Sequence, residues 1–259
     1  TMYQNLDGSF IIKFYYFCGK ISAKDAQDAS KFGKIYLMHW AIENDSKQIS
    51  SRITEILSDV SRYNCDIMAV IKYASRDEII SLIEDGRIKI LGESKVQDAV
   101  ERWEKDESLK RLRNSAELHF IGHLQTNKAK YAVKLFDSID SLDSIEIARE
   151  IDARAGKIDK KMPVAIQLKI NDRDSQHGFY SDEFDAAFKE ISRFKNLSVR
   201  GIMAIGPITQ DEKEISAAFK KAKELYDRHF KSPENGDGFK NILSIGMSSD
   251  WKIALKEGS

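Results

Sequence analysis

The chain has 259 residues, and its 41 Lys+Arg are balanced by 41 Asp+Glu, a length that suits one large α/β domain or two small ones. The balanced charge gives no basic stripe for nucleic acid and no acidic tail for a charged partner. Two cysteines, Cys18 and Cys65, are too few for a disulfide framework, and no apolar run reaches membrane-spanning length, so a cytoplasmic protein is expected.

Residues 1–37 read as an N-terminal extension and 38–259 as the main domain. The stretch Phe10 to Cys18, FIIKFYYFC, has the length of a signal-peptide core. Asp7 precedes it where a basic leader would stand, and Lys13 interrupts it, so SFIIKFYYFCG reads as a strand. The polar residues up to Leu37 read as a weak helix or linker. Ile49, Ile53, Ile56, Leu57 and Val60 then follow helical spacing, which predicts a helix over roughly 41–62.

From Cys65 onward apolar runs alternate with amphipathic segments. Strands are expected at Ile67–Ile71, Ile88–Leu91, Leu118–Ile121, Leu135–Ile139, Val164–Ile170, Val199–Ile205 and Ile242–Ile245. Ser75 and Glu78 make a capping box for the helix after the first of these, and Gly86 offers its stop. Phe184, Ala187, Phe188, Ile191 and Phe194 form one helical stripe; Ile215, Ala218, Phe219, Ala222 and Leu225 form another. Alternating strands and helices imply right-handed βαβ units and a parallel sheet. About seven units predict a TIM-type (β/α)8 barrel short of one strand. The competing open doubly wound sheet lacks the G-x-G-x-x-G turn after its first strand.

Strand C-terminal ends converge on one face of a barrel. Lys72 ends the apolar run Ile67–Ile71. Desolvation there favours the neutral amine that a Schiff-base nucleophile needs; the plainer reading is a lysine extending its charge out of the barrel mouth. The loop Ser244 to Asp250, SIGMSSD, offers Gly246 for close backbone approach and the hydroxyls of Ser248 and Ser249, followed by a helix expected over Asp250 to Glu257. This is either a phosphate site at a helix start or a serine cap with no ligand. His119 and His123 are four apart on one strand, so both are expected on one face. No third ligand of suitable spacing stands out, so no metal is expected; His119 reads as a hydrogen-bonding or core histidine, and His177 before Gly178 as a turn residue.

MAVIK, GESKVQD, ELHFIGHLQTNK, SIDS, GIMAIG and LSIGMSSDWKIALKEGS occur in this order. Together they closely resemble the pyridoxal-phosphate homeostasis (YggS/PROSC) family over about residues 41–259. The resemblance implies a fold like the N-terminal barrel of alanine racemase and pyridoxal 5′-phosphate as cofactor. Lys72 would hold it as an aldimine, Ser244, Gly246 and Ser248 would hold its phosphate, and His119 and Met203 would line the ring pocket. Ser94 would supply a contact from the next loop. There the chain departs from the family, which has Asn and Tyr where this chain has Ser94 and Lys95. His177 stands where the family has lysine. The family also reads on after the last helix as GSTMVRIG, its eighth strand, where this chain ends at Ser259. Two readings of the N-terminal segment follow: residues 9–18 fill the eighth position between the Ile242–Ile245 and Ile67–Ile71 strands, or residues 1–37 are a foreign extension.

The function this implies is cofactor binding and homeostasis, with pyridoxal-phosphate-dependent apoenzymes as possible partners, a monomeric state, and no nucleic acid or membrane. A racemase needs a second acid/base group opposite the lysine, and this length leaves no room for the second domain that supplies it in alanine racemases. The alternatives are an amino-acid racemase of low activity and a class I aldolase, whose Schiff-base lysine usually sits later in the barrel.

Overall fold

The computed structural model describes the backbone of residues 9–15 and residues 46–63, 65–171, 176–232 and 234–259, side chains being described from residue 50 onward. The expected linker up to Leu37 and the strand residues beyond Tyr15 lie outside this set.

The architecture is an α/β fold of the barrel type, built on a curled parallel sheet. Strand β1 is Ser9–Tyr15. Helix α1, Ser46–Val60, leads into β2, Cys65–Val70. Then come α2 (Arg76–Asp85), β3 (Ile90–Glu93), α3 (Val96–Val100) with a π-helical turn at Glu101–Lys105, and α4 (Glu107–Leu112). Strand β4 (Glu117–Phe120) precedes α5 (Ala129–Leu135), β5 (Ser138–Leu142), α6 (Ile145–Gly156) and β6 (Met162–Leu168). The chain continues through α7 (Phe184–Ile191), β7 (Leu197–Ala204), α8 (Glu212–His229), β8 (Ile242–Ser244) and α9 (Trp251–Lys256). Neighbouring strands pair in parallel from β2 through β8. The backbone of β1 pairs in parallel with both ends of that series, Phe10 to Tyr15 against Cys65 to Val70 and Ser9 to Ile11 against Ile242 to Ser244.

Local chemistry explains the punctuation. Ser75 Oγ accepts from the Glu78 amide at 3.3 Å, and Glu78 Oε2 accepts from the Ser75 amide at 2.8 Å, so the capping box satisfies two otherwise orphaned donors of α2. Gly86 ends that helix in the left-handed conformation, φ 72°. Most expected element boundaries shift by one to three residues. Leu135 closes α5, so the fourth strand expected from the sequence begins at Ser138. The last helix is one residue shorter at each end than expected. Apolar residues flanking an element carry the pattern of its neighbour, and this blurs boundaries.

Alternation along each strand divides the interior in two. Ile67, Ala69 and Ile71 face outward into the large core shared with helix residues such as Ile79, Leu82 and Trp103. Met68 and Val70 face inward and meet Ile90, Ile121, Ala165, Met203 and Ile242, all from strands or strand ends. This inner cluster fills the lumen, as expected of a barrel whose centre is packed.

Candidate functional site

The inward set fixes where the strand-end residues stand. Lys72 has the parity of Met68 and Val70, two residues past the end of β2. The Ile71 amide still donates to Gly92 O at 3.0 Å, so the ladder continues to the residue before the lysine. Lys72 is about half buried, and its pKa is lowered, first by burial and then by the positive charge of Lys95. Its Nζ lies 5.0 Å from the centre of the Tyr73 ring. Such a lysine gives up its proton more readily than a solvated one, and so its amine is a better nucleophile near neutral pH.

Met203 and Ser244 are directly paired across β7 and β8. Both are fully buried, and Ser244 Oγ has no hydrogen-bond partner among the described residues. A buried hydroxyl without a partner is costly unless something supplies one. Two residues on, Gly246 has φ 88°; a Cβ there would lie 2.7 Å from Ala254 Cβ and 3.2 Å from Trp251 Cα. Glycine is therefore needed both for its conformation and for the close approach of α9. Ser248 is exposed on the same loop. The same loop ends in a carboxylate to which sequence reasoning assigned no role. Asp250 is buried and accepts the Met247 amide, and burial raises its pKa. Part of the loop's donor capacity is thus spent within the loop.

Ser94 follows β3 at the lumen parity of Ile90, and its backbone packs hard against the next loop. A Cβ on Gly122 would lie 2.0 Å from Ser94 O. Ser141 Oγ donates to Gly122 O at 2.5 Å, which ties the end of β5 to the same place.

His119 sits deeper. It is in register with Gly92 and, through Gly92, with Val70, two residues before Lys72. It is completely buried, with Nδ1 2.8 Å from Asp140 Oδ2 and Nε2 3.0 Å from Glu117 Oε2. Arg200 Nη2 lies 3.6 Å from Asp140 Oδ1, and Ser138 Oγ donates to the same oxygen at 2.6 Å. Sequence reasoning missed Asp140 and Arg200 as partners of His119, although SIDS flagged the segment. Both nitrogens of His119 are committed to carboxylates, so a ligand above it can meet only the ring's carbon surface.

The expectation that His119 and His123 share a face is corrected. Strand β4 ends at Phe120, so alternation does not reach His123, which is exposed while His119 is buried. His123 pairs instead with Asp143.

A cavity of about 600 Å³ lies apart from all these residues, lined by Lys169, Tyr180, Asp182, Lys221, Glu224 and Arg228 among others. It takes in Lys169, directly after β6, but none of Lys72, Ser94, His119, Met203, Ser244, Gly246 or Ser248.

Residues 45–252 match the family model described as alanine racemase, N-terminal domain. A protein of Aquifex aeolicus named pyridoxal phosphate homeostasis protein is 32% identical over 182 residues, 70% of this chain and 76% of the relative. One of the same name from Pasteurella multocida is 30% identical over 220 residues, 84% of this chain and 92% of the relative. The solved structure of PipY from Synechococcus elongatus, with PLP bound, superposes with a TM-score of 0.68 at 27% identity, covering 82% of this chain and 94% of that one. The chain belongs to the alanine racemase N-terminal domain family, within its pyridoxal phosphate homeostasis branch. Among the described residues, no helix is long and apolar enough to cross a membrane.

Proposed function

We propose that this protein binds pyridoxal 5′-phosphate at the strand ends around Lys72 and serves in managing the supply of that cofactor. The observation that carries the reading is Lys72 itself, an amine of lowered pKa on the lumen side of a strand end. The unpartnered Ser244 hydroxyl and the constrained Gly246 turn fit the phosphate of the same ligand. When bound, pyridoxal phosphate supplies an aldehyde that a neutral amine attacks. Lys72 would hold it covalently, Ser244, Gly246 and Ser248 would receive the phosphate, and Met203 and Ser94 would flank the ring. His119 supports the floor of the pocket with its charge neutralised by Asp140 and Glu117. The relatives' names and the bound ligand of PipY support this reading over a racemase or an aldolase.

The barrel's completeness belongs to the same proposal. Residues 38–259 carry the cofactor site, and Ser9–Tyr15 acts as the eighth strand that keeps β2 and β8 in place. The parallel register on both sides of that segment supports this role. Deleting residues 1–37 then exposes two sheet edges beside Lys72 and Ser244. The shortened chain is expected to aggregate or melt at a much lower temperature. A deletion variant that folds and binds cofactor unchanged would count against the role.

Titration with pyridoxal 5′-phosphate and with pyridoxal, followed by absorbance, tests the phosphate assignment. Ser248→Ala should weaken the phosphorylated ligand by about tenfold or more, since a hydrogen bond to a charged group contributes roughly 1.5–3 kcal/mol. Pyridoxal should lose much less. Equal losses for both ligands would place the phosphate elsewhere.

A further inference from the structure

His123, Asp143 and His177 follow the ends of β4, β5 and β6, on the same face of the barrel as Lys72. His123 Nδ1 is 2.6 Å from Asp143 Oδ2, and His177 Nδ1 is 4.0 Å from the same oxygen. The two imidazoles stack with centroids 3.8 Å apart and planes 12° from parallel. One ligand atom from each of the three residues falls within 4.8 Å of the other two. We propose that these three side chains form a site for a divalent transition-metal ion of the Zn²⁺ type.

The chemistry argues for this class of ion. Imidazole nitrogens suit Zn²⁺, Ni²⁺ and Cu²⁺, whereas Mg²⁺ and Ca²⁺ favour all-oxygen shells. Zn–N and Zn–O lengths of about 2.0–2.2 Å put tetrahedral ligand atoms roughly 3.3 Å apart. The observed 2.6 and 4.0 Å separations bracket that spacing, and the exposed imidazoles must turn out of their stacked, near-parallel arrangement for both in-plane lone pairs to reach one ion. Asp143 is the fixed member, its side chain only 4% exposed, while His123 and His177 are 46% and 54% exposed. The exposed side leaves room for water as a fourth ligand. The site is independent of the cofactor reading, because none of the three residues is assigned to the cofactor.

Tag-free protein stripped with a chelator is titrated with ZnCl₂ in a calorimeter. One equivalent should bind, and His123→Gln and His177→Gln should each weaken it by at least about tenfold, the loss seen when even an outer partner of a metal ligand is removed. A second readout needs no variant: of the five histidines, two ring signals should move on adding Zn²⁺ in an NMR spectrum. Absence of one-to-one binding, an unchanged affinity in the double variant, or movement of the His119 or His229 signals instead would overturn the site.

Discussion

His119 Nδ1 and Asp140 Oδ2 meet at 2.8 Å with both side chains fully buried, which makes the lumen of this barrel ionic beneath its apolar layer. Arg200 from β7 and Ser138 from β5 converge on the same carboxylate. Removing one partner from such a group strands the remaining charges. Asp140→Ala should therefore destabilise the fold by about 3–5 kcal/mol, measured by urea unfolding. A loss below about 1 kcal/mol would mean that water or a neighbour compensates.

The same pair sets a pH dependence. Burial opposes charge on His119, but Asp140 and Glu117 overcome it and raise its pKa. Burial likewise opposes charge on Asp140, yet His119, Arg200 and Ser138 hold its pKa well below the usual carboxylate range. A raised histidine stabilises fully below its unfolded pKa of about 6.5 and loses that contribution as pH climbs through the folded value. A depressed aspartate stabilises fully above about 3.9 and loses it as pH falls through its lower folded value. Melting temperatures of the native chain and His119→Gln should differ most between these two limits and converge as pH rises. A gap that widens with alkaline pH would refute the charged histidine.

The capping box gives a local test. Ser75→Ala removes the acceptor for the Glu78 amide and should cost about 1 kcal/mol in unfolding free energy. The cofactor site should remain intact, since α2 begins after the loop that carries Lys72.

Gly201 is a tighter constraint. A Cβ there would stand 1.8 Å from Ile242 O, so β7 and β8 must part to admit it. Gly201→Ala should lose at least about 1–3 kcal/mol. It should also weaken cofactor binding, because Met203 and Ser244 are paired two residues along the same seam. Unchanged binding would uncouple that seam from the site.

The strands from Cys65 onward were legible because fully buried strands read as apolar runs. Their ends were less so, as Leu135 shows by closing a helix. The strand-end lysine and the glycine loop could be read directly, since each depends on a single residue type in a local context. The network around His119 could not, because Asp140 and Arg200 are 21 and 81 residues away and meet it only when β4 pairs with β5 and the sheet curls to bring β7 across the lumen. Asp143 was hidden for the same reason. It joins two histidines that the sequence separates, one of which read as a turn residue. Asp250 was taken for the start of the helix, and nothing in its spacing signalled a buried acceptor for Met247.

Lys72 carries the central claim, and borohydride reduction tests it most directly. Protein saturated with pyridoxal 5′-phosphate is reduced, digested and mapped by mass spectrometry. The label is expected on the single peptide containing Lys72, and Lys72→Ala should retain its fold yet take up no label. Label on Lys95 or Lys169, with Lys72→Ala binding the cofactor as before, would contradict the account.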